Sequence, residues 1–317
     1  MSEADIYNSV DPEITGEGAD WAYSTCTGTK KALLIGINYV GTESELSGCV
    51  NDVLNLRKFI TERWGYENEN IVTVTDDPKV SSIAPTRKNI VSFNLSTQHV
   101  LDSERYKLLN CKNLSKMQSR TMLFSFAVGN FSSPLDYVQL LRLADVDSGH
   151  GTQVRDKDGN EIDKMDEAIC PVDYNRAGFI IDDELNELIV KPLPLGCRLT
   201  VIFDCCNSGS ALDLLYMYGP TGHILDGASP DDPKKSPADI LYLSGCRDDQ
   251  TSADTVEEGR ATGALSHAFV DALTQKPEQS YLEMLSNTRK ILKKKRYTQI
   301  PQLSSSHPID TSLQFII

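Results

Sequence analysis

Three short apolar runs in this chain stop abruptly at polar residues: KKALLIGINYV (30–40), LTVIFDCC (199–206) and DILYLSGC (239–246). Runs this short and this rich in Val, Ile and Leu suit strands buried on both faces, and such strands belong to parallel sheets covered by helices. NIVTVTDD (70–77) alternates and reads as a further strand. Helical patterns lie among them. GCVNDVLNLRKFITERWGY (48–66) puts Val50, Val53, Leu54, Leu56, Phe59 and Ile60 on roughly one face. GALSHAFVDALTQ (263–275) and SYLEMLSNTRKILKKK (280–295) read as helices, and PQLSSSHPIDTSLQFII closes the chain with a last strand. This alternation predicts an α/β protein, a three-layer α/β/α domain around a mostly parallel sheet.

Sheets of that kind bind and react beyond the carboxyl ends of their strands. Here those exits read GINY, DCCNSG and SGCRDD. The 317 residues suffice for one large core, and there are no internal repeats. Residues 1–29 are polar, acidic and aperiodic and read as a flexible lead, while 219–239, rich in Pro, Gly and Asp, reads as a loop or processing linker.

Charge narrows the function class. Asp and Glu number 45 against 31 Lys and Arg, a net charge of −14. Such a surface repels nucleic acid and anionic membrane and attracts cations or basic substrates. No apolar run approaches a membrane span, and the N-terminus has no signal-peptide core. The eight cysteines have no regular spacing, so they read as reduced thiols of a cytoplasmic or nuclear protein. Without a CxxC pair, a zinc site is not expected.

Cys205 and Cys206 stand at a strand exit rather than inside the apolar run. A thiol there needs a base to become a nucleophile. Of the five histidines, His150 is flanked by glycines in DSGHGTQ, which lets the backbone bend sharply and leaves the ring accessible. A Cys/His pair on neighbouring strand ends is a thiol-protease arrangement. A general α/β hydrolase or nucleotide-binding domain is disfavoured, because GxSxG and a Gly-rich phosphate loop are both missing.

Ten motifs make the reading specific. They are YSTCTGTKKALLIGINYVG (23–41), LSGCVNDV (46–53), TDD with PTRKNI (75–90), SGHGTQ (148–153), MDEAICPVDY (165–174), IIDDEL (180–185), RLTVIFDCCNSGSALDL (198–214), LSGCRDDQTSAD (243–254), TGALSHAF (262–269) and PQLSSSHPID (301–310). In this order, over about four-fifths of the chain, they resemble the fungal type I metacaspases, a family of caspase-like cysteine peptidases. The resemblance implies a peptidase domain over 30–317 with His150 as the acid–base residue and Cys206 as the nucleophile. It places Asp52, Ser148 and Asp204 in the pocket for the residue before the scissile bond. Two carboxylates there suit Arg or Lys through charge-assisted hydrogen bonds. It also makes Asp166, Asp182, Asp183 and Asp213 calcium ligands, and irregularly spaced carboxylates suit a hard, oxygen-seeking ion. Taken alone, Asp52 would be a helix-start residue and Asp182–Asp183 a helix N-terminal pair.

The implied protein is a calcium-dependent zymogen that cuts basic protein or peptide substrates, self-processes at Lys234 or Lys235, and works as a monomer in regulated cell death and protein quality control. Two departures stand out. Asn207 replaces the His that usually follows the nucleophile, and Cys205 replaces a Ser. Residues 91–147 are longer than the family's interval and lack its pattern. A shifted frame over 111–126 can restore that pattern, which marks the interval as an unspliced-intron or frame-error segment. Two candidates compete for the strand that feeds His150, TMLFSFAV (121–128) and YVQLLRLADV (137–146). If the interval spoils that strand, the chain becomes a catalytically impaired binding or quality-control module.

Overall fold

The computed structural model describes residues 21–24, 26, 28–92, 141–156, 159, 164–205, 209–226, 234–246, 254–257 and 260–317. In chain order the elements are β1 (Thr29–Gly36), α1 (Cys49–Trp64), β2 (Ile71–Thr75), β3 (Leu141–Ser148), β4 (Gly151–Arg155), β5 (Met165–Ile169), α2 (Tyr174–Ala177), β6 (Ile180–Ile181), α3 (Asp182–Leu185), β7 (Arg198–Asp204), β8 (Tyr216–Tyr218), β9 (Ile224–Asp226), β10 (Asp239–Ser244), β11 (Asp254–Glu257), β12 (Arg260–Gly263), α4 (Ala264–Gln275), α5 (Tyr281–Lys294) and β13 (Gln302–Ser305). The central sheet runs β2-β1-β3-β7-β10-β13-β8-β9. Its first five strands are parallel, and β13 begins an antiparallel edge. Small sheets β4-β5-β6 and β11-β12 flank it.

The period-2 pattern of the apolar runs sorts their side chains to opposite faces. Leu34, Ile202, Leu241 and Leu243 join a core with Val53, Leu56 and Ile60 of α1, Leu265 and Phe269 of α4, and Met284 and Leu285 of α5. Ile35, Val201, Phe203 and Ile240 turn the other way, onto Ile180, Leu185, Leu188 and Val190. Every residue of β7 and β10 is buried, as strands covered on both faces require. Each large apolar side chain so buried contributes about 1.5–3 kcal/mol. At α5, Ser280 accepts from the Glu283 N–H while Glu283 accepts from the Ser280 N–H, a capping box that starts the helix.

Opposite the carboxyl ends of these strands, Arg198 and Asp239 open β7 and β10 side by side and form a fully buried ion pair at 2.9 Å. The Arg198 guanidinium also donates to the Tyr281 hydroxyl, and His307 Nε2 lies 3.1 Å from Asp239 Oδ1. Burial alone would raise the Asp239 pKa, but Arg198 and His307 outweigh it and hold the carboxyl below its ordinary value. The expected flexible lead reaches this network. The Ser24 N–H donates to Asp239 Oδ2 at 2.8 Å, Trp21 stacks on His307 at 3.9 Å, and Cys26 is buried. Residues 21–24 and 26 therefore belong to the packed domain, because a buried carboxylate with an open lone pair recruits the nearest backbone donor.

Two further boundaries differ from expectation. The first strand stops at Gly36 instead of running to residue 40, because Tyr39 turns the chain with a φ of +52°. The segment 219–239 is not all loop: β9 pairs antiparallel with β8, and β10 starts at Asp239. Of the atypical interval 91–147, residues 93–140, including TMLFSFAV, lie outside the described residues. The part that is described includes β3. Its backbone pairs with β1 from Leu141 to Ser148 and with β7 from Arg142 to Ser148, so the slot before His150 is filled by a strand paired on both sides.

Candidate active site and acidic cluster

Register brings the site together. Gly36, Ser148 and Asp204 end three adjacent parallel strands and sit in one row across them. The Ile37 N–H donates to the Ser148 carbonyl at 2.9 Å, which carries the pairing one residue further. Gly36 lets α1 approach, since a Cβ there would meet the Cys49 carbonyl oxygen at 2.5 Å. That approach sets Asp52, in the first turn of α1, behind the strand ends.

Asp52 is fully buried. The Ser148 hydroxyl donates to its Oδ2 at 2.7 Å, the Thr262 hydroxyl donates to Oδ1, and the Gly263 N–H reaches both oxygens at 2.9 Å. Asp204 is nearly as buried and accepts the Ser266 N–H, in the first turn of α4, at 2.7 Å. Gly263 is wedged between the two acids. A Cβ on it would lie 2.3 Å from Asp204 Oδ2 and 2.9 Å from Asp52 Oδ2. Burial first, and the charge of Asp204 second, push the Asp52 carboxyl up to about 7, against the opposing hydrogen bonds. Asp52, Ser148 and Asp204 thus form one acidic cluster, joined by Thr262, Gly263 and Ser266, which sequence reasoning did not single out. Asp52 and Thr262 also line a cleft between α1 and α4 that holds Lys58, Glu62 and His267.

His150 leaves the end of β3 two residues after Ser148. Both of its main-chain groups are held: its N–H donates to the Tyr39 hydroxyl at 3.0 Å, and its carbonyl accepts the Cys170 N–H at 3.1 Å. The Tyr39 hydroxyl donates onward to the Cys170 carbonyl at 2.5 Å, and its ring lies 4.8 Å from the imidazole. Tyr39 is therefore a positioning residue. Its signal was the polar strand exit GINY. The imidazole Nε2 sits 2.8 Å from the Ser44 carbonyl oxygen. A carbonyl only accepts, so Nε2 carries a proton, and in the neutral ring the lone pair is on Nδ1. Cys206 and Asn207 lie outside the described residues. Cys205 is buried, and its carbonyl accepts from the Cys246 thiol at 3.4 Å. The six described cysteines, Cys26, Cys49, Cys170, Cys197, Cys205 and Cys246, are all buried and reduced.

A second acidic group lies beyond β5 and β6. Oxygens of Asp182, Asp183 and Asp213 come within 4.8 Å of one another. Asp182 is buried and accepts from the Glu167 N–H at 2.7 Å and the Asp183 N–H at 2.8 Å. Burial first and Asp213 second push its carboxyl up to about 8. Asp166 is outside this trio, although it shares a cleft with Asp183, Glu184 and Arg87. Glu167, which sequence reasoning did not single out, adds charge beside Asp182 and Asp213 while accepting from Gln153 and Ser210. Oxygen-only donors, partly buried and mutually repelling, fit a hard divalent cation. Lys234 already puts its ammonium there, 2.8 Å from Asp213 Oδ2.

Residues 29–312 match the Caspase domain family. The chain is similar to Metacaspase-1 of Cryptococcus neoformans, at 41% identity over 354 residues that take in 96% of this chain and 69% of the relative. Metacaspase-1 of Schizosaccharomyces pombe is 39% identical, covering 95% of this chain and 73% of the relative. Metacaspase-1 of Saccharomyces cerevisiae is also 39% identical, over 96% and 72%. A crystal structure of a Geobacter sulfurreducens protein superposes with a TM-score of 0.56 at 21% identity, covering 90% of this chain and 97% of that one, and supports the fold alone.

Proposed function

This chain is a cysteine-type peptidase of the caspase-domain family, among the metacaspases, and from that membership we propose that it is a calcium-dependent endopeptidase cutting after Arg or Lys through Cys206 and His150. The observation that carries the specificity is the pair of carboxylates, Asp52 and Asp204, buried on either side of Gly263 and partnered by hydroxyl and amide donors. Two acids so close repel one another, and a guanidinium or ammonium relieves both at once.

In this reading His150 Nδ1 takes the proton of Cys206, because Nε2 is committed to the Ser44 carbonyl. The thiolate attacks the carbonyl carbon of the basic residue. The leaving amine takes the proton from His150, and water then cleaves the thioester. Tyr39 keeps the imidazole in place by bonding its backbone rather than its ring nitrogens. Calcium would be held by Asp182, Asp183 and Asp213, with Asp166 on the adjoining cleft. When bound, it supplies positive charge that offsets three carboxylates. We extend the reading to regulated cell death and protein quality control, in the cytoplasm or nucleus, on the family resemblance alone. Among the described residues, no helix is long and apolar enough to cross a membrane.

The test is cleavage of paired peptides that differ only in Arg, Lys or Asp before the scissile bond, with and without calcium. Arg and Lys peptides are expected to be cut in calcium and spared in chelator, and Cys206→Ala is expected to cut neither. Efficient cleavage after Asp would overturn the pocket assignment.

A further inference from the structure

Lys234 stands where a metal would. Its ammonium lies 2.8 Å from Asp213 Oδ2 and 3.9 Å from Asp183 Oδ1, two of the three carboxylates whose oxygens converge. The Asp213 side chain is 6% exposed and Lys234 22%, so the contact is partly shielded from water. The backbone is set up for it. Asp213, in the chain between β7 and β8, adopts a left-handed φ of +53°. On the other side, Ser236 is buried, with its hydroxyl donating to the Val190 carbonyl at 3.1 Å and accepting from the Ala238 N–H. Ser236 is two residues from Lys234, so the ammonium is tethered beside the acids. A short tether gives a group an effective concentration in roughly the millimolar range. That is enough to compete with a dissolved cation of similar concentration.

We propose that Lys234 is a built-in competitor for the calcium site, and that calcium binding displaces its ammonium from Asp213 and leaves the side chain exposed. The inference rests on the reading above, in which the cluster takes calcium. Lysine brings one charge and up to three N–H donors. A calcium ion brings two charges and binds about six to eight oxygens, so it can gather all three carboxylates at once. The two cations therefore exclude each other at Asp213.

Two measurements on the full chain carrying Cys206→Ala, which removes self-cleavage, test this. The first is calorimetric titration with calcium alone. Lys234→Gln is expected to tighten calcium binding about fivefold or more, because the competitor is gone. Lys234→Arg should keep the weaker affinity, and Lys235→Gln, with the same change in net charge, should shift it by less than about twofold. The second is digestion by an external lysine-specific protease, mapped by mass spectrometry. Cutting after Lys234 is expected to be slow in chelator and faster in calcium. Equal calcium affinity in the Lys234→Gln and parent chains, or cutting after Lys234 that ignores calcium, overturns the competitor while leaving the calcium site intact. No calcium binding to either chain overturns the site and the competitor together.

Discussion

The molecule has two acidic clusters, and they neutralise themselves differently. Asp52 is surrounded by neutral donors: two hydroxyls and the Gly263 amide. Asp213 is met by an ammonium from its own chain. Neutral donors stabilise a carboxylate without cancelling its charge, so the proposed pocket would still attract a cation from outside. An internal ammonium cancels charge, so a newcomer must first displace it. The first arrangement suits recognition of each successive substrate, and the second suits a setting that changes only when cation concentration changes. On this contrast, substitutions in one cluster should leave the other's ligand unaffected.

The largest expected effect is in the pocket. Asp204→Asn removes the charge two residues before Cys206, the proposed nucleophile, while keeping an acceptor for the Ser266 amide. Losing a buried charge partner costs about 2–5 kcal/mol, which is roughly 30-fold or more in kcat/KM for Arg peptides. Calcium affinity measured on the same variant should not move. Steady-state kinetics and calorimetry side by side decide it, and a joint loss would merge the two clusters into one functional unit.

Gly263→Ala should come next. Its new methyl has no room, at 2.3 Å from Asp204 Oδ2. Either the acids part or the start of α4 shifts, and overpacking of this kind costs about 1–3 kcal/mol. The expected result is a loss of at least about tenfold in kcat/KM for Arg peptides together with a lower Tm. Unchanged kinetics would mean that the two carboxylates do not act as a pair. On the other cluster, replacing both Asp182 and Asp183 with Ala should raise the calcium concentration for half-activation about tenfold or more, while the preference for Arg over Asp persists.

Much of this was legible because strand exits have a sequence signature. Burial on both faces demands the apolar runs LTVIF and ILYL, and their abrupt polar ends point to Asp204 and the cysteines beside it. Helix α1 was visible from its single apolar face. Thr262, Gly263 and Ser266 were not singled out, since their part depends on β12 and α4 folding back over Asp52, some 210 positions earlier in the chain, and Asp204, 62 positions before Ser266. The Ser44 carbonyl was hidden for a different reason, since it is backbone, which any residue type supplies; Tyr39 stood in the strand exit GINY, but its role runs through a hydroxyl bonded to backbone. Lys234 was noticed as a cleavage candidate, but its ion pair with Asp213 is a tertiary contact that no spacing announces. Residues 21–24 and 26, at the end of the lead, pack where flexibility was expected, because their anchor is the buried charge of Asp239, and a local polar composition carries no trace of that partner.

The smallest expected effect is also the most diagnostic, because it follows the charge of one residue. The Asp52 carboxyl is pushed up to about 7, by burial first and Asp204 second, from an ordinary value of 3.8. Between those values the unfolded chain has lost a proton that the folded chain retains. Asp52 therefore makes stability fall as pH rises through this window, and its contribution levels off above about pH 7. A cationic ligand responds in the opposite sense, since it is attracted to the ionised form. Binding of a simple guanidinium such as agmatine should strengthen by up to about tenfold between about pH 6 and about pH 8, as the ionised fraction of a group titrating near 7 rises. In Asp52→Asn both slopes should flatten, and the pH dependence of calcium binding at the other cluster should be untouched. Calorimetry across that range, paired with thermal melts, reads all three quantities. A guanidinium affinity that climbs equally in the wild-type and Asp52→Asn chains would move the titrating group out of the pocket, and with it the claim that Asp52 keeps an uncancelled charge for the substrate.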